Sequence, residues 1–248
     1  MEITEYIILF VAVLIGGSVA LYLQQVKTQY LSMLLSFSGA YLLGIAMLHL
    51  MPIAFQQPGT NPGLWILLGF FVQLLLEQLS GGVEHGHIHP HTQSGNGHML
   101  QLMLGLCLHA FFEGLPLGNY EALQQHYHGD VHSGQHLLVG IILHKAPAAF
   151  ALTALLLASH FRKRTVIICL VIFASMSPLG AALAATLGEQ GVLDQGVQEK
   201  IIAFVIGSFL HIATTILFET DGAANHRLPW KKMLLIGLGL GLAILSAH

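Results

Sequence analysis

Apolar residues in this chain gather into eight runs, near positions 5–24, 31–54, 62–80, 98–119, 135–159, 165–188, 200–219 and 230–247, with polar or glycine-rich connections between them. An α-helix rises about 1.5 Å per residue, so runs of about 20 residues match the roughly 30 Å of hydrocarbon in a bilayer. Strands of a membrane barrel would be shorter and would alternate in polarity, and these runs do not. The pattern predicts an all-α polytopic membrane protein with eight transmembrane helices, organised as a single transmembrane domain over residues 1–248.

Composition agrees and adds orientation. Hydrophobic residues make up 54% and charged ones 8%, with a mean hydropathy of +0.71, well away from the balance of a soluble domain. Lys and Arg at the ends of membrane helices collect on the cytoplasmic side. With the N-terminus outside, the inward connections hold Lys27, Arg162, Lys163, Arg164, Arg227, Lys231 and Lys232, and the outward ones hold only Lys200. Both termini then lie outside, and Glu2, Glu5, Glu121, Asp130, Glu189, Asp194 and Glu199 face outward, where their field attracts cations. The leading segment MEITEY is acidic and lacks a basic stretch, so the first helix is expected to stay rather than be cleaved as a signal. A net charge of -3 without a basic stripe excludes nucleic acid as a partner.

Against this background three side chains stand out. His109 and Glu113 lie within LGLCLHAFFEGLPLG, and His144 within LLVGIILHKAPAAFAL. A spacing of four puts His109 and Glu113 on one helical face, so both aim at one point while His144 approaches from the next helix. An ionisable side chain at mid-membrane costs about 2.5–3.5 kcal/mol on insertion scales, which favours a cavity, a partner or an ion for Glu113. A structural hydrogen bond to a neighbouring helix is the competing reading. Imidazole with carboxylate suits Zn2+, Fe2+, Mn2+, Co2+ or Cd2+ better than Ca2+ or Mg2+. Three protein ligands leave the shell open, whereas permanent structural zinc is closed by four, and an open shell favours release.

Other polar positions are weaker signals. His49 lies near the outer end of the second run, Glu77 near the inner end of the third and His211 within the seventh, so depth alone marks them as candidates for the path on either side of the centre. For His49 and Glu77 a hydrogen bond at a helix end explains as much. The inward connection 81–98 places His85, His87, His89, His91 and His98 among Gly, Ser and Asn, a labile cytoplasmic metal-capture loop or an idle polar linker. His126, His128, His132 and His136 line the outward connection beside Glu121 and Asp130. Cys107 and Cys169 sit in apolar runs and read as small hydrophobes; Cys107 points about 160° from His109, away from a shared shell. Pro52, Pro116, Pro147 and Pro178 fall inside the runs, where a proline frees a carbonyl and kinks the axis.

Several segments together carry a family resemblance. SGAYLLGIAMLHLMP in the second run, HAFFEG in the fourth, HKAPAA in the fifth, SPLGAALAA in the sixth and GSFLHIAT in the seventh resemble the ZIP (Zrt/Irt-like) family of divalent metal transporters. The resemblance implies a 3+2+3 arrangement with inverted repeats around the metal-bearing pair, both termini outside, and transport of metal into the cytoplasm; the expected activity is uptake of a divalent ion, zinc foremost, across the plasma membrane, by alternating access or by channel-like flux. It implies no permanent cofactor and no enzymatic activity; the expected partners are divalent metal ions and the lipid bilayer, with a homodimer as the assembly entertained.

The departures from the family pattern are informative. Many relatives carry Asn or Asp after the first histidine and Glu four residues after the second, which permits two adjacent sites; here those positions are Ala110 and Ala148. Lys145 follows His144 where a second-site acid often stands, so it is expected to balance charge there, pairing with Glu113, and to leave one transport site. The rival of another class is an intramembrane metal-dependent hydrolase, for which an open three-ligand shell would also serve, although no His-Glu-x-x-His is present. A bis-histidine haem protein is disfavoured by a carboxylate beside the ring.

Overall fold

The computed structural model describes residues 2–22, 28–55, 61–83, 96–126, 133–218 and 229–246. All regular structure among them is helical: α1 (Ile3–Tyr22), α2 (Thr28–Ile45, a π-helical turn Ala46–Leu50, then Met51–Phe55), α3 (Pro62–Ser80), α4 (Asn96–His126), α5 (Ser133–Ala158), α6 (Lys163–Glu189), α7 (Gln195–Phe218) and α8 (Trp230–Leu245). His85, His87, His89 and His91, with Lys27, Glu84, His128, Asp130, His132 and Arg227, lie outside the described residues.

Local chemistry sets several boundaries. α3 opens with Pro62, whose missing N–H costs nothing in a first turn, and stops at Gly81, which takes a left-handed conformation (φ 63°) and caps the Glu77 carbonyl. In α2, Pro52 cannot donate to the Leu48 carbonyl; just before it the helix widens, and the Met51 N–H reaches back to Ala46. His49 sits in that widened turn.

Seven of the eight are long and apolar enough to cross a membrane. α8, at 16 residues, is shorter than the expected 230–247. α4 runs the other way: its 31 residues correspond to about 46 Å, so it continues past the expected end at 119 into what the sequence suggested was a loop.

The helices pack most closely as α4 with α6, α3 with α7, α1 with α5 and α2 with α8. The secondary contacts α1–α6, α5–α6 and α2–α7 fall within two groups, α1/α4/α5/α6 and α2/α3/α7/α8, which also meet each other directly along α3–α4 and α2–α5. Close approach explains the tightest pair. A methyl on Gly114 would overlap the Ser177 carbonyl, and one on Gly180 the Phe111 carbonyl, so α4 and α6 touch backbone to backbone. The Ser177 hydroxyl donates to the Ala110 carbonyl at 2.7 Å across the same seam.

The apolar core falls into two clusters. One gathers Leu42, Ile45, Leu117, Leu137, Ile141, Ala181 and Phe209; the other Leu35, Leu106, Ala148, Leu152, Phe173 and Ile212. On α4, α5, α6 and α7 the buried polar residues His109, Glu113, His144, Lys145, Ser177, Ser208 and His211 sit where one cluster gives way to the other. A polar belt thus crosses the bundle at mid-height.

Candidate metal centre

His109, Glu113 and His144 converge in that belt. One ligand atom from each lies within 4.8 Å of the others, and all three residues are buried. The i,i+4 spacing on α4 brings His109 Nε2 to 3.1 Å from Glu113 Oε1. On α5 the His144 ring faces that of His109 edge-on at 6.1 Å between centroids. Two ligands of tetrahedral zinc at about 2.0–2.1 Å stand about 3.3 Å apart, so the α4 pair is near that separation already and the remaining donor, within 4.8 Å of both, needs a shift of at most about 1.5 Å.

Lys145 completes the arrangement. Its Nζ lies 3.0 Å from Glu113 Oε2 and 5.1 Å from the centroid of the Phe173 ring, with only 1% of the residue exposed. An ammonium at this depth is stable because a carboxylate and an aromatic face replace its water. Each Glu113 oxygen therefore has its own neighbour, an imidazole for one and an ammonium for the other. Ala110 and Ala148 are buried in the apolar cluster and offer no donor.

The remaining candidates stand elsewhere. Glu77 Oε2 pairs with His211 Nε2 across α3 and α7, and the Phe70 ring lies edge-on against His211 at 4.9 Å. Depth had suggested both residues, but their contact, 134 positions apart in sequence, was not deducible. His49 does not join the centre: its Nε2 donates to the Ser246 carbonyl at 3.1 Å, and its ring lies 5.9 Å from that of His136. Cys107 and Cys169 are free thiols packed with the second cluster.

One neighbour of the centre was missed. Gln73 of α3, buried in the run FFVQLLLEQ, places its side-chain oxygen 2.9 Å from His109 Nδ1 and 3.0 Å from the Ser208 hydroxyl of α7. The signal was an amide four residues before Glu77, on the same helical face inside an apolar run.

A bundle of membrane-length helices enclosing three convergent nitrogen and oxygen donors defines a polytopic membrane protein with a buried donor set that could hold a metal ion. A family model described as ZIP Zinc transporter matches residues 84–247. Zinc transporter ZIP1 of Homo sapiens is 27% identical over 266 residues, covering 89% of this chain and 78% of that protein. ZIP1 of Mus musculus is 32% identical over 181 residues (69% and 52%), and zinc transporter ZIP9 of Micropogonias undulatus 28% over 170 residues (66% and 53%). The chain belongs to the ZIP family. Members are transporters and not enzymes, which leaves the hydrolase alternative without support.

Proposed function

We propose that this protein carries Zn2+ across the plasma membrane into the cytoplasm through one site, in which His109, Glu113 and His144 bind the ion in turn from outside and inside. The observation that carries this reading is the convergence of those three donors from two helices in a buried polar belt. Relatives named as zinc transporters support the choice of ion.

The packing suggests which parts move. The centre belongs to α4 and α5, and close contacts join these to α6 and α1, so the ion travels with a four-helix unit rather than with two helices alone. The second unit supplies the wall against which it slides. Exchanging α1–α3 with α6–α8, and α4 with α5, maps the α1–α5 pair onto α6–α4 and the α3–α7 pair onto α8–α2. That correspondence supports the 3+2+3 inverted repeat, and alternating access follows from a site between repeats. Glu77 and His211 line the inward path, and His49 the outward one. The histidines at 85, 87, 89 and 91 then receive the ion on the cytoplasmic side.

Lys145 sets the charge of the site. A dication that reaches Glu113 meets a carboxylate already neutralised by an ammonium, so binding exchanges one cation contact for another. A fixed positive charge there opposes a second dication, and a single site follows.

Labelled zinc uptake into proteoliposomes tests the reading. His109→Ala or Glu113→Ala at wild-type rates would remove it. Because the imidazoles must be neutral to bind, protons compete with the ion. Uptake should fall as the pH on the loading side drops from about 7.5 to about 5.5.

A further inference from the structure

We infer that Gln73 is a positioning residue for the metal centre: held by Ser208, its side-chain oxygen fixes the His109 ring so that Nε2 is the atom presented to the ion. The inference rests on the reading of His109, Glu113 and His144 as the transport site and adds a residue from the opposite unit.

The geometry has three parts. Gln73 Oε1 lies 2.9 Å from His109 Nδ1, so in the neutral imidazole the proton sits on Nδ1, which donates to this oxygen, and the lone pair belongs to Nε2. Nε2 is the nitrogen that faces Glu113, at 3.1 Å from Oε1. The Ser208 hydroxyl donates to the same amide oxygen at 3.0 Å, which aims the oxygen rather than the amide nitrogen at His109. All three residues are buried, so water does not substitute for either bond. A ligating histidine commonly has its second nitrogen held by a carbonyl or carboxylate, and losing that partner costs about 10–100-fold in metal affinity.

The bond also crosses between the two helical units. His109 belongs to α4, which packs most extensively with α6, whereas Gln73 and Ser208 belong to α3 and α7, and α3 meets α4 along the seam this bond crosses. Sliding one unit past the other separates His109 from Gln73. The ring is therefore held for tight binding in this arrangement of the units and released in another, which couples affinity to conformation without any change in the three ligands.

The test uses the full-length protein in detergent and in proteoliposomes, with zinc as the probe. Gln73→Leu, which removes the acceptor at similar volume, should weaken equilibrium zinc binding by about 10–100-fold. Gln73→Glu, which restores an acceptor oxygen, should recover most of it. Ser208→Ala should weaken binding by a smaller factor, because the amide keeps its contact but loses the group that orients it. Wild-type affinity in Gln73→Leu, or equal weakening in Gln73→Leu and Gln73→Glu, would overturn the inference. A measurement without substitutions stands beside these: 15N spectra of histidine-labelled wild-type protein with zinc should show His109 protonated at Nδ1 and metal-bound at Nε2. Zinc on Nδ1 would overturn the inference even if the variants fail to fold. The two readings fail differently. Loss of uptake in His109→Ala with wild-type affinity in Gln73→Leu sinks only the role of Gln73, while undiminished uptake in His109→Ala sinks the transport site itself.

Discussion

Two histidine–carboxylate contacts lie in or beside the buried belt, one in each helical unit, and they are built differently. His109 and Glu113 share α4, four residues apart, and His144 and Lys145 join them from α5. His211 and Glu77 meet across α7 and α3, with an aromatic ring against the imidazole, and no third donor joins them among the described residues. The first contact has the donors for a metal shell, while the second joins two helices of one unit through a single acid and a single imidazole. Similar residue chemistry thus gives two roles, and the number of helices that converge on the point decides which.

The sharpest way to break this comparison is to remove one member of each pair. His109→Ala or Glu113→Ala should reduce zinc uptake to about 1% or less of wild type, beyond the 10–100-fold that loss of an outer partner costs. Glu77→Gln should slow uptake several-fold yet change equilibrium affinity at the centre by less than about twofold, as expected for separate sites. Equal losses of affinity in the two would mean that both contacts belong to one shell.

Lys145 gives the next effect. Breaking a buried ion pair by removing one partner costs on the order of 3–5 kcal/mol, because the other charge is left without compensation. Lys145→Met should therefore lower the zinc-free melting temperature markedly. Zinc should restore part of the loss, since an ion at about 100 times its Kd contributes about 2.7 kcal/mol. Thermal unfolding in detergent with and without zinc reads both terms, and an unchanged zinc-free melt would show that the ammonium does not compensate Glu113.

Stoichiometry probes the same position more gently. Lys145→Asp combined with Ala148→Glu puts carboxylates at two positions of α5 near His144, and equilibrium binding should rise from one zinc to two. Both native side chains are buried, so the added carboxylates reach the shell only if they turn toward Glu113. One zinc in both proteins would count against the charge of Lys145 as the reason for a single site and place the limit in the packing around His109, Glu113 and His144.

The legibility of these features follows from their range in sequence. Hydrophobic runs revealed the eight helices because each helix buries or exposes its own residues to lipid. His109 with Glu113 was legible because four residues make one helical turn, and Lys145 because it stands out inside an apolar run. The Glu77–His211 pair, the Gln73–His109 bond and the division into two units depend on which helices pack together, and periodicity within one helix carries no record of that. The extra length of α4 escaped because the residues after 119 are polar enough to resemble a loop while still continuing the helix.

The smallest effect is expected at Cys107, where direction along a helix competes with proximity in sequence. The thiol stands two residues before His109, so its side chain leaves α4 on a different face, and it packs with apolar neighbours of the second cluster. A thiol is a good zinc ligand, and proximity in sequence alone would place it in the shell. Direction wins if Cys107→Ala leaves zinc affinity within about twofold and stability within about 1 kcal/mol, the range of a small change at a partly buried position. A tenfold loss of affinity would put sulfur among the ligands and turn the three-donor centre into a four-donor one, which binds zinc too firmly for ready release.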